Sequence, residues 1–157
     1  MMANRRQIPL SFWRKMRAFS GRLIPLLERG MGPKRLVLLL TTTGRKSGLP
    51  RVTPLQYEEH GGNIYIASAR GVKADWFKNL QADPQVQYRI GGQSTAAVAE
   101  PITDPGRIAD FLELRLRRHP VMIRLIMRAE GLTFRHSRAD LEEFARDKAI
   151  VALHRSV

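Results

Sequence analysis

The fold of this chain is decided by the stretch Leu38-Leu39-Leu40-Thr41-Thr42-Thr43-Gly44-Arg45-Lys46-Ser47-Gly48-Leu49-Pro50-Arg51. An apolar run that ends in threonines stops at Gly44, and a short turn leads into a second strand-like run. Gly44 and Gly48 give the backbone of this turn the freedom that a tight connection between two strands needs. The stretch therefore predicts two antiparallel strands joined by a short turn.

The turn and the residue that ends the stretch are rich in groups that donate to anions: Arg45, Lys46, Ser47 and Arg51. Guanidinium, ammonium and hydroxyl groups on a glycine-containing turn form a candidate phosphate site. The phosphate loop of nucleotide hydrolases is excluded, because it has Lys and Ser or Thr after its second glycine and leads into a helix. Here Leu49 and Pro50 occupy those positions, and a strand-like run follows.

The composition limits the class of protein. A length of 157 residues suits one domain with a substantial core. The absence of cysteine excludes disulfides and thiolate metal sites, and the four histidines are scattered, so no metal site is predicted. No apolar run approaches the roughly 20 residues that span a bilayer, and the N-terminus lacks the features of a signal peptide. We therefore expect a cytoplasmic protein.

Positive charge is concentrated in the first third of the chain. Residues 1–51 hold 12 of the 27 Lys and Arg residues but only one of the 14 Asp and Glu residues. Such a charge distribution favours polyanionic ligands, an anionic membrane surface or nucleic acid. The chain has no nucleic-acid recognition motif and no aromatic series interleaved with the charges. We therefore expect no nucleic-acid partner, and binding through the basic third is the least supported alternative.

Residues 9–29 have the spacing of a basic amphipathic helix, with Phe12, Met16 and Phe19 on its apolar side. Two interpretations stay open for this helix. It packs on the domain through its apolar side, or it contacts the inner face of a membrane as a peripheral helix. The predicted division of the chain is an N-terminal basic helix over 1–35 and a folded domain over 36–157.

From residue 36 onward the pattern changes to short strands separated by turns. Gly61-Gly62 and Gly91-Gly92 suit hairpin turns, and Thr103-Asp104-Pro105 is a helix start signal. Strands are predicted at 36–42, 51–57, 63–69, 85–90, 94–102 and 150–154, and helices at 74–82, 103–118, 121–129 and 138–146. This order predicts an α+β chain built on a small, mostly antiparallel β-barrel with flanking helices.

A second candidate site lies over residues 67–80, where a strand ends and a helix begins. A helix N-terminus binds anions through its free N–H groups, but Asp75 is also predicted as the N-cap, which would occupy them. Trp76 and Leu80 share a helix face and are predicted to pack in the core. No catalytic set such as G-x-S-x-G is present. No catalytic residue is therefore assigned, and the chemistry is expected to come from a cofactor.

Two segments carry a more specific signal. They are Thr41-Thr42-Thr43-Gly44-Arg45-Lys46-Ser47-Gly48-x-Pro50-Arg51-x-x-Pro54-Leu55, and Ala67-Ser68 followed by Trp76-x-x-Asn79-Leu80-x-Ala82-x-Pro84-x-Val86. Together they resemble the deazaflavin (F420)-dependent nitroreductase family. The resemblance implies the split β-barrel of flavin-reductase-like proteins. It also implies an oxidoreductase that passes a hydride from the reduced deazaflavin coenzyme, F420, to a small organic acceptor: a quinone, an enone or a nitro compound.

The same resemblance implies the coenzyme-binding residues. The phosphate would be held by Arg45, Lys46 and Ser47, and the acidic glutamyl tail would be contacted by Arg51. The deazaflavin ring would be lined by Thr53 and Pro54. The remaining residues would border the ring or tail or close the pocket: Ala67, Ser68, Lys73, Trp76 and Asn79.

The chain departs from the family in the region that shapes the acceptor pocket, because residues 119–126 lack the tyrosines of nitroreducing members. Met122 and Met127 would form an apolar wall for a bulky acceptor, or pack in the core. Two alternatives to an F420-dependent enzyme are kept. One is a split-barrel oxidoreductase that uses FMN, and the other is a non-catalytic protein that binds the deazaflavin. The oligomeric state stays open.

Overall fold

The structure is a computed structural model that describes residues 22, 24–26, 28–29, 37–68, 70–132 and 135–157. The helix predicted over 9–29 lies mostly outside these ranges, although residues 22, 24–26 and 28 are helical. The boundary predicted between residues 35 and 36 also lies outside them. The two-part division of the chain therefore stays a prediction.

The described residues form six strands: β1 Val37–Thr43, β2 Pro50–His60, β3 Asn63–Ser68, β4 Gln85–Ile90, β5 Gln93–Ile102 and β6 Ala149–Arg155. They close into a barrel in the order β1-β2-β3-β6-β5-β4, and every neighbouring pair is antiparallel. The ladder between β1 and β4 has three residue pairs, at Leu39, Leu40 and Thr41 of β1. The predicted antiparallel barrel is confirmed.

Alternate side chains of the strands fill the barrel interior. Leu38 and Leu40 of β1 and Ile66 of β3 are almost completely buried there, as the two-residue period of a strand requires. Helix α1 (Asp75–Ala82) closes one end of the barrel, because its Phe77 and Leu80 are fully buried in the same cluster. The interior is thus a packed core.

Three further helices lie outside the barrel: α2 Pro105–Arg118, α3 Pro120–Ala129 and α4 Arg138–Ala145. Ile108 and Phe111 of α2 pack with Ala152 of β6 in a cluster outside the barrel. A second cluster between the helices contains Ile123 and Met127 of α3. Of the two interpretations of Met127, core packing is the one that the structure supports.

From residue 37 onward, the predicted strands and helices are all present, with bounds that shift by at most three residues. The glycines of the two predicted hairpin turns, Gly61-Gly62 and Gly91-Gly92, have φ between +56° and +86°. That region of backbone conformation favours glycine. The predicted start of α2 is also confirmed, because the Asp104 side chain accepts a hydrogen bond from the backbone N–H of Arg107 at 2.8 Å.

The predicted capping role of Asp75 is wrong. Ala74 is the N-cap residue of α1, and no side chain caps the helix. Asp75 is the first helical residue, and its carboxylate instead lies 3.3 Å from the guanidinium of Arg45. A contact with a residue 30 positions earlier in the chain therefore takes the place of the local cap.

Candidate coenzyme site

The basic turn joins β1 to β2 and is closed by its own backbone. The N–H of Gly44 donates to the carbonyl of Leu49 at 2.8 Å, and the N–H of Gly48 donates to the carbonyl of Gly44 at 2.7 Å. Gly48 has a φ of +69°. A Cβ on Gly44 would lie 2.6 Å from Oγ of Ser47 and 3.1 Å from the carbonyl oxygen of Leu49. Both glycines are therefore required by the compact shape of the turn.

Arg45 is bound to helix α1. Its backbone N–H and its Nη1 both donate to Oδ1 of Asn79, at 3.2 and 2.9 Å. Asn79 is 5% exposed, and its Nδ2 donates to Oγ1 of Thr42 at 3.4 Å. Together with the ion pair to Asp75, these bonds fix the turn against the helix that closes the barrel. Arg45 and Asn79 thus position the turn.

The remaining donors of the turn face outward. Lys46, Ser47 and Arg51 are exposed, and Lys46 makes no hydrogen bond or ion pair within the described part of the chain. Oγ of Ser47 accepts from the backbone N–H of Leu49 at 3.2 Å and lies 3.5 Å from Nη2 of Arg51. Within the described residues, the Ser47 hydroxyl donates no hydrogen bond. Two cations and a hydroxyl within six residues are a donor set that fits a phosphate.

The two residues predicted to line the ring face opposite sides of β2. Thr53 is paired with Leu40 and Pro54 with Leu39. Since Leu40 belongs to the interior cluster, Thr53 faces the inside of the barrel and Pro54 faces the outside. Both residues are half-buried, and Leu39, which faces the same side of the sheet as Pro54, is 3% exposed.

The side chains of Ala67 and Ser68 also face opposite sides of their strand. Ala67 packs beneath α2, against the cluster that contains Ile108. Ser68 is buried, and its hydroxyl donates to the carbonyl of Gly71 at 2.7 Å. Lys73 ends the 3-10 turn Gly71–Lys73 and is exposed. Lys73 is therefore the residue of this group that a ligand reaches most easily.

Trp76 lies between core and surface. It is half-buried, packs against the barrel cluster and meets the ring of Phe77 edge-on, with 5.9 Å between the ring centroids. Its neighbour on the same helix face, Leu80, is fully buried. The predicted core packing is confirmed for Leu80, whereas Trp76 keeps an exposed edge.

A buried carboxylate on β2 was not predicted from the sequence. Glu58 is 7% exposed and is surrounded by Nε of Arg115 at 3.5 Å, Nη1 of Arg118 at 3.2 Å and Nε2 of His119 at 2.9 Å. Burial lowers the pKa of Arg115, and the nearby Glu58 carboxylate opposes that change. The three-residue spacing of the two arginines on α2 was the available signal, but it does not reveal a partner on a distant strand.

Two further properties concern the described residues only. No group of their His, Asp and Glu side chains is arranged to hold a metal ion. None of their helices combines the length and apolar character that crossing a bilayer needs.

The closed antiparallel barrel and the outward donors of its β1–β2 turn define a split-barrel protein with an exposed cationic turn beside the helix that closes the barrel. Residues 12–123 match the family model described as F420H(2)-dependent quinone reductase. The chain belongs to this family. The predicted resemblance to F420-dependent reductases is confirmed, and the family match gives no support to the FMN alternative.

Curated relatives match part of the chain. An F420H(2)-dependent quinone reductase of Mycobacterium tuberculosis is 35% identical over 68 residues, which are 41% of this chain and 46% of the relative. The protein of Mycobacterium bovis described by the same activity matches to the same extent. The match thus spans less than half the length of these curated relatives.

Solved structures support the fold. An F420-H2-dependent reductase, FDR-A, is 22% identical and has a TM-score of 0.52, with 76% of this chain and 95% of that chain covered. HutZ, the haem storage protein of Vibrio cholerae, is 16% identical with a TM-score of 0.55, and 88% and 91% of the two chains are covered. Proteins of different function share this barrel, so the likeness concerns the fold alone.

Proposed function

We propose that this protein binds reduced F420 and transfers its hydride to a small organic acceptor, with a quinone as the acceptor class that the family favours. The single observation that carries the proposal is the outward donor set of the β1–β2 turn, Lys46, Ser47 and Arg51, on a turn fixed by Asn79. Family membership supports the same coenzyme. When bound, F420 supplies the hydride; the residues of the chain bind and orient the coenzyme.

The proposed roles of the residues follow from where each side chain lies. Lys46, Ser47 and Arg51 hold the phosphate and the start of the acidic tail through charge-assisted hydrogen bonds. Pro54 lies beneath the ring on the outer surface of β2, and Lys73 contacts the tail or the ring edge. The other predicted residues support the protein surface on which the coenzyme lies. They are Arg45, Thr53, Ala67, Ser68, Trp76 and Asn79.

A fluorescence titration with reduced F420 tests the binding site. We expect Lys46→Ala combined with Arg51→Ala to weaken affinity by roughly a hundredfold or more, because each charged hydrogen bond contributes about 1.5–3 kcal/mol. Arg117→Ala with Arg124→Ala is the matched control, since it removes the same charge from exposed positions on α2 and α3. Equal affinities in the two double variants would show that the turn does not hold the coenzyme.

A screen of quinone, enone and nitro acceptors tests the activity. Oxidation of the bound coenzyme is followed by its absorbance, with a quinone expected to react fastest. A protein that binds reduced F420 tightly and oxidises it with none of the acceptors would instead be the non-catalytic binding protein. Purification with bound flavin and no affinity for F420 would identify the FMN alternative.

The charge of the first third of the chain supports a further part of the proposal, which is contact of residues 9–29 with an anionic membrane surface. These residues combine basic and apolar side chains at helical spacing. The test is co-sedimentation with anionic vesicles after replacing Arg14, Lys15 and Arg17 by Gln, which is expected to reduce binding. Unchanged sedimentation would contradict this membrane contact and would have no bearing on the proposed coenzyme site.

A further inference from the structure

Helix α3 exposes large apolar side chains to solvent. Val121, Leu125 and Ile126 are 72%, 59% and 40% exposed, whereas Ile123 and Met127 on the other side of the helix are 2% and 3% exposed. Isolated exposed hydrophobic residues are common on proteins, but several on one helix face indicate a surface that binds something. One apolar face of the helix therefore packs on the domain, and a second apolar face is exposed to solvent.

The exposed residues lie along one side of the helix, bordered by Met122, which is half-buried and packs against the cluster between the helices. Val121 and Leu125 are four residues apart, as are Met122 and Ile126, so both pairs lie one turn above the other on adjoining parts of the surface. Ala129 continues the line from Leu125 at the end of the helix. We call these five residues, 121, 122, 125, 126 and 129, the α3 stripe.

The charges beside the α3 stripe have one sign. Arg124 and Arg128 are exposed on the same helix, and Arg117 is exposed in the last turn of α2. The sequence of α3, PVMIRLIMRA, contains no acidic residue. A surface that combines exposed apolar side chains with arginines alone is complementary to an anionic apolar partner.

We propose that the α3 stripe docks in the headgroup region of an anionic lipid membrane. An amphipathic helix with a basic side and an exposed apolar side lies in the plane of the bilayer, with its apolar side chains below the headgroups. At about 1.5 Å per residue, α3 is about 15 Å long and cannot cross the roughly 30 Å hydrocarbon core, so it lies along the surface. The arginines contact lipid phosphates at the same depth.

A second copy of the chain is a poorer partner for the stripe. In a two-fold symmetric dimer, each α3 would face the α3 of the partner and bring Arg124 close to the same arginine. With no acidic residue on the helix, α3 itself offers no opposite charge to this pair. An anionic bilayer accommodates both the positive charge of this helix and its exposed apolar side chains.

The test is co-sedimentation of the full chain with vesicles, in the absence of coenzyme. Vesicles of mixed phosphatidylglycerol and phosphatidylcholine are compared with vesicles of phosphatidylcholine alone. We expect Val121→Ser with Leu125→Ser to lower the partition coefficient on the anionic vesicles about tenfold. Val72→Ser with Val98→Ser is the matched control, because these two side chains are 47% and 38% exposed on other parts of the surface, and it should bind like the wild type.

Each outcome decides the proposal. All variants retain residues 9–29, so any contribution of that segment is the same in every sample. A stripe variant that binds as tightly as the wild type overturns the proposal, as does a wild type that ignores anionic vesicles. Loss of a wild-type dimer in the stripe variant, without a change in vesicle binding, would assign the surface to a second copy instead. The urea midpoint of each variant confirms that these surface changes leave the fold intact.

Discussion

Oδ1 of Asn79 accepts two hydrogen bonds from Arg45, one from its backbone N–H at 3.2 Å and one from its Nη1 at 2.9 Å. Through this pair, the helix that closes the barrel holds the turn that carries the exposed cations. The barrel core and the proposed coenzyme site therefore share one buried polar side chain. Changes to Asn79 are expected to affect both stability and binding.

Asn79→Ala should lower the free energy of unfolding by about 1–3 kcal/mol, because the polar groups of Arg45 and Thr42 lose a buried partner. Urea denaturation measures this change. Asn79→Asp keeps the acceptor for Arg45 and removes the donor to Thr42, so its affinity for the coenzyme should fall less than that of Asn79→Ala. Lys78→Ala, an exposed change on the same helix, is the control. Equal coenzyme affinities for Asn79→Ala and the wild type would show that the position of the turn does not affect coenzyme binding.

Gly71→Ala should be among the most destabilising single substitutions in the chain. Gly71 has a φ of +57°, and a Cβ there would overlap the carbonyl oxygen of Asp147. Backbone strain and overlap together should cost about 3 kcal/mol or more. Gly61→Ala is the matched control, because Gly61 has a φ of +58° with no atom near its Cβ position. Similar urea midpoints for the two variants would show that overlap with Asp147 contributes nothing.

Glu58→Gln should destabilise the protein by roughly 3 kcal/mol, because Arg115 keeps its charge in a buried position without its negatively charged partner. The side chain of Arg115 is 12% exposed, so water compensates little. Adding Arg115→Met to Glu58→Gln should restore most of the lost stability. A double variant as unstable as Glu58→Gln alone would show that the loss has another origin. Urea denaturation of the two single variants and the double variant completes the cycle.

Glu100 should make stability depend on pH in the acidic range. A hydrogen bond from Arg107, which has the larger effect, and one from His154 hold the pKa of Glu100 below its ordinary value of 4.5. A carboxylate with a lowered folded-state pKa stabilises the protein above 4.5 and loses this contribution as the pH falls through the folded pKa. The stability gap between wild type and Glu100→Gln should therefore shrink on acidification, as measured by urea midpoints from neutral to acidic pH. A constant gap would contradict this origin.

The local elements of the fold could be predicted, because each depends on neighbouring residues. Gly61-Gly62 and the Asp104-Pro105 start of α2 have one favoured backbone conformation, and the strands follow from alternation. The insertion of β6 between β3 and β5 could not be predicted, since Ala149–Arg155 carries no information about its partners.

The same distinction between neighbouring and distant residues applies to the candidate site. The donors of the turn are visible in the sequence because they are adjacent in it. The binding of Arg45 to Asn79, 34 residues away, and the burial of Glu58 among residues of α2 depend on contacts between distant segments. For this reason Arg45 was predicted to bind the ligand and Asp75 to cap the helix. In the structure, the two side chains form an ion pair with each other.

Closure of the barrel has a consequence for how copies of this protein associate. Each of the six strands has a neighbour on both sides, so no full-length strand edge is left with unpaired N–H and C=O groups. For a second copy to add a strand along a whole edge, one of these existing strand pairs would first have to open. Among the described residues, the outer faces of the strands and the helices are the surfaces that can meet another copy without that cost.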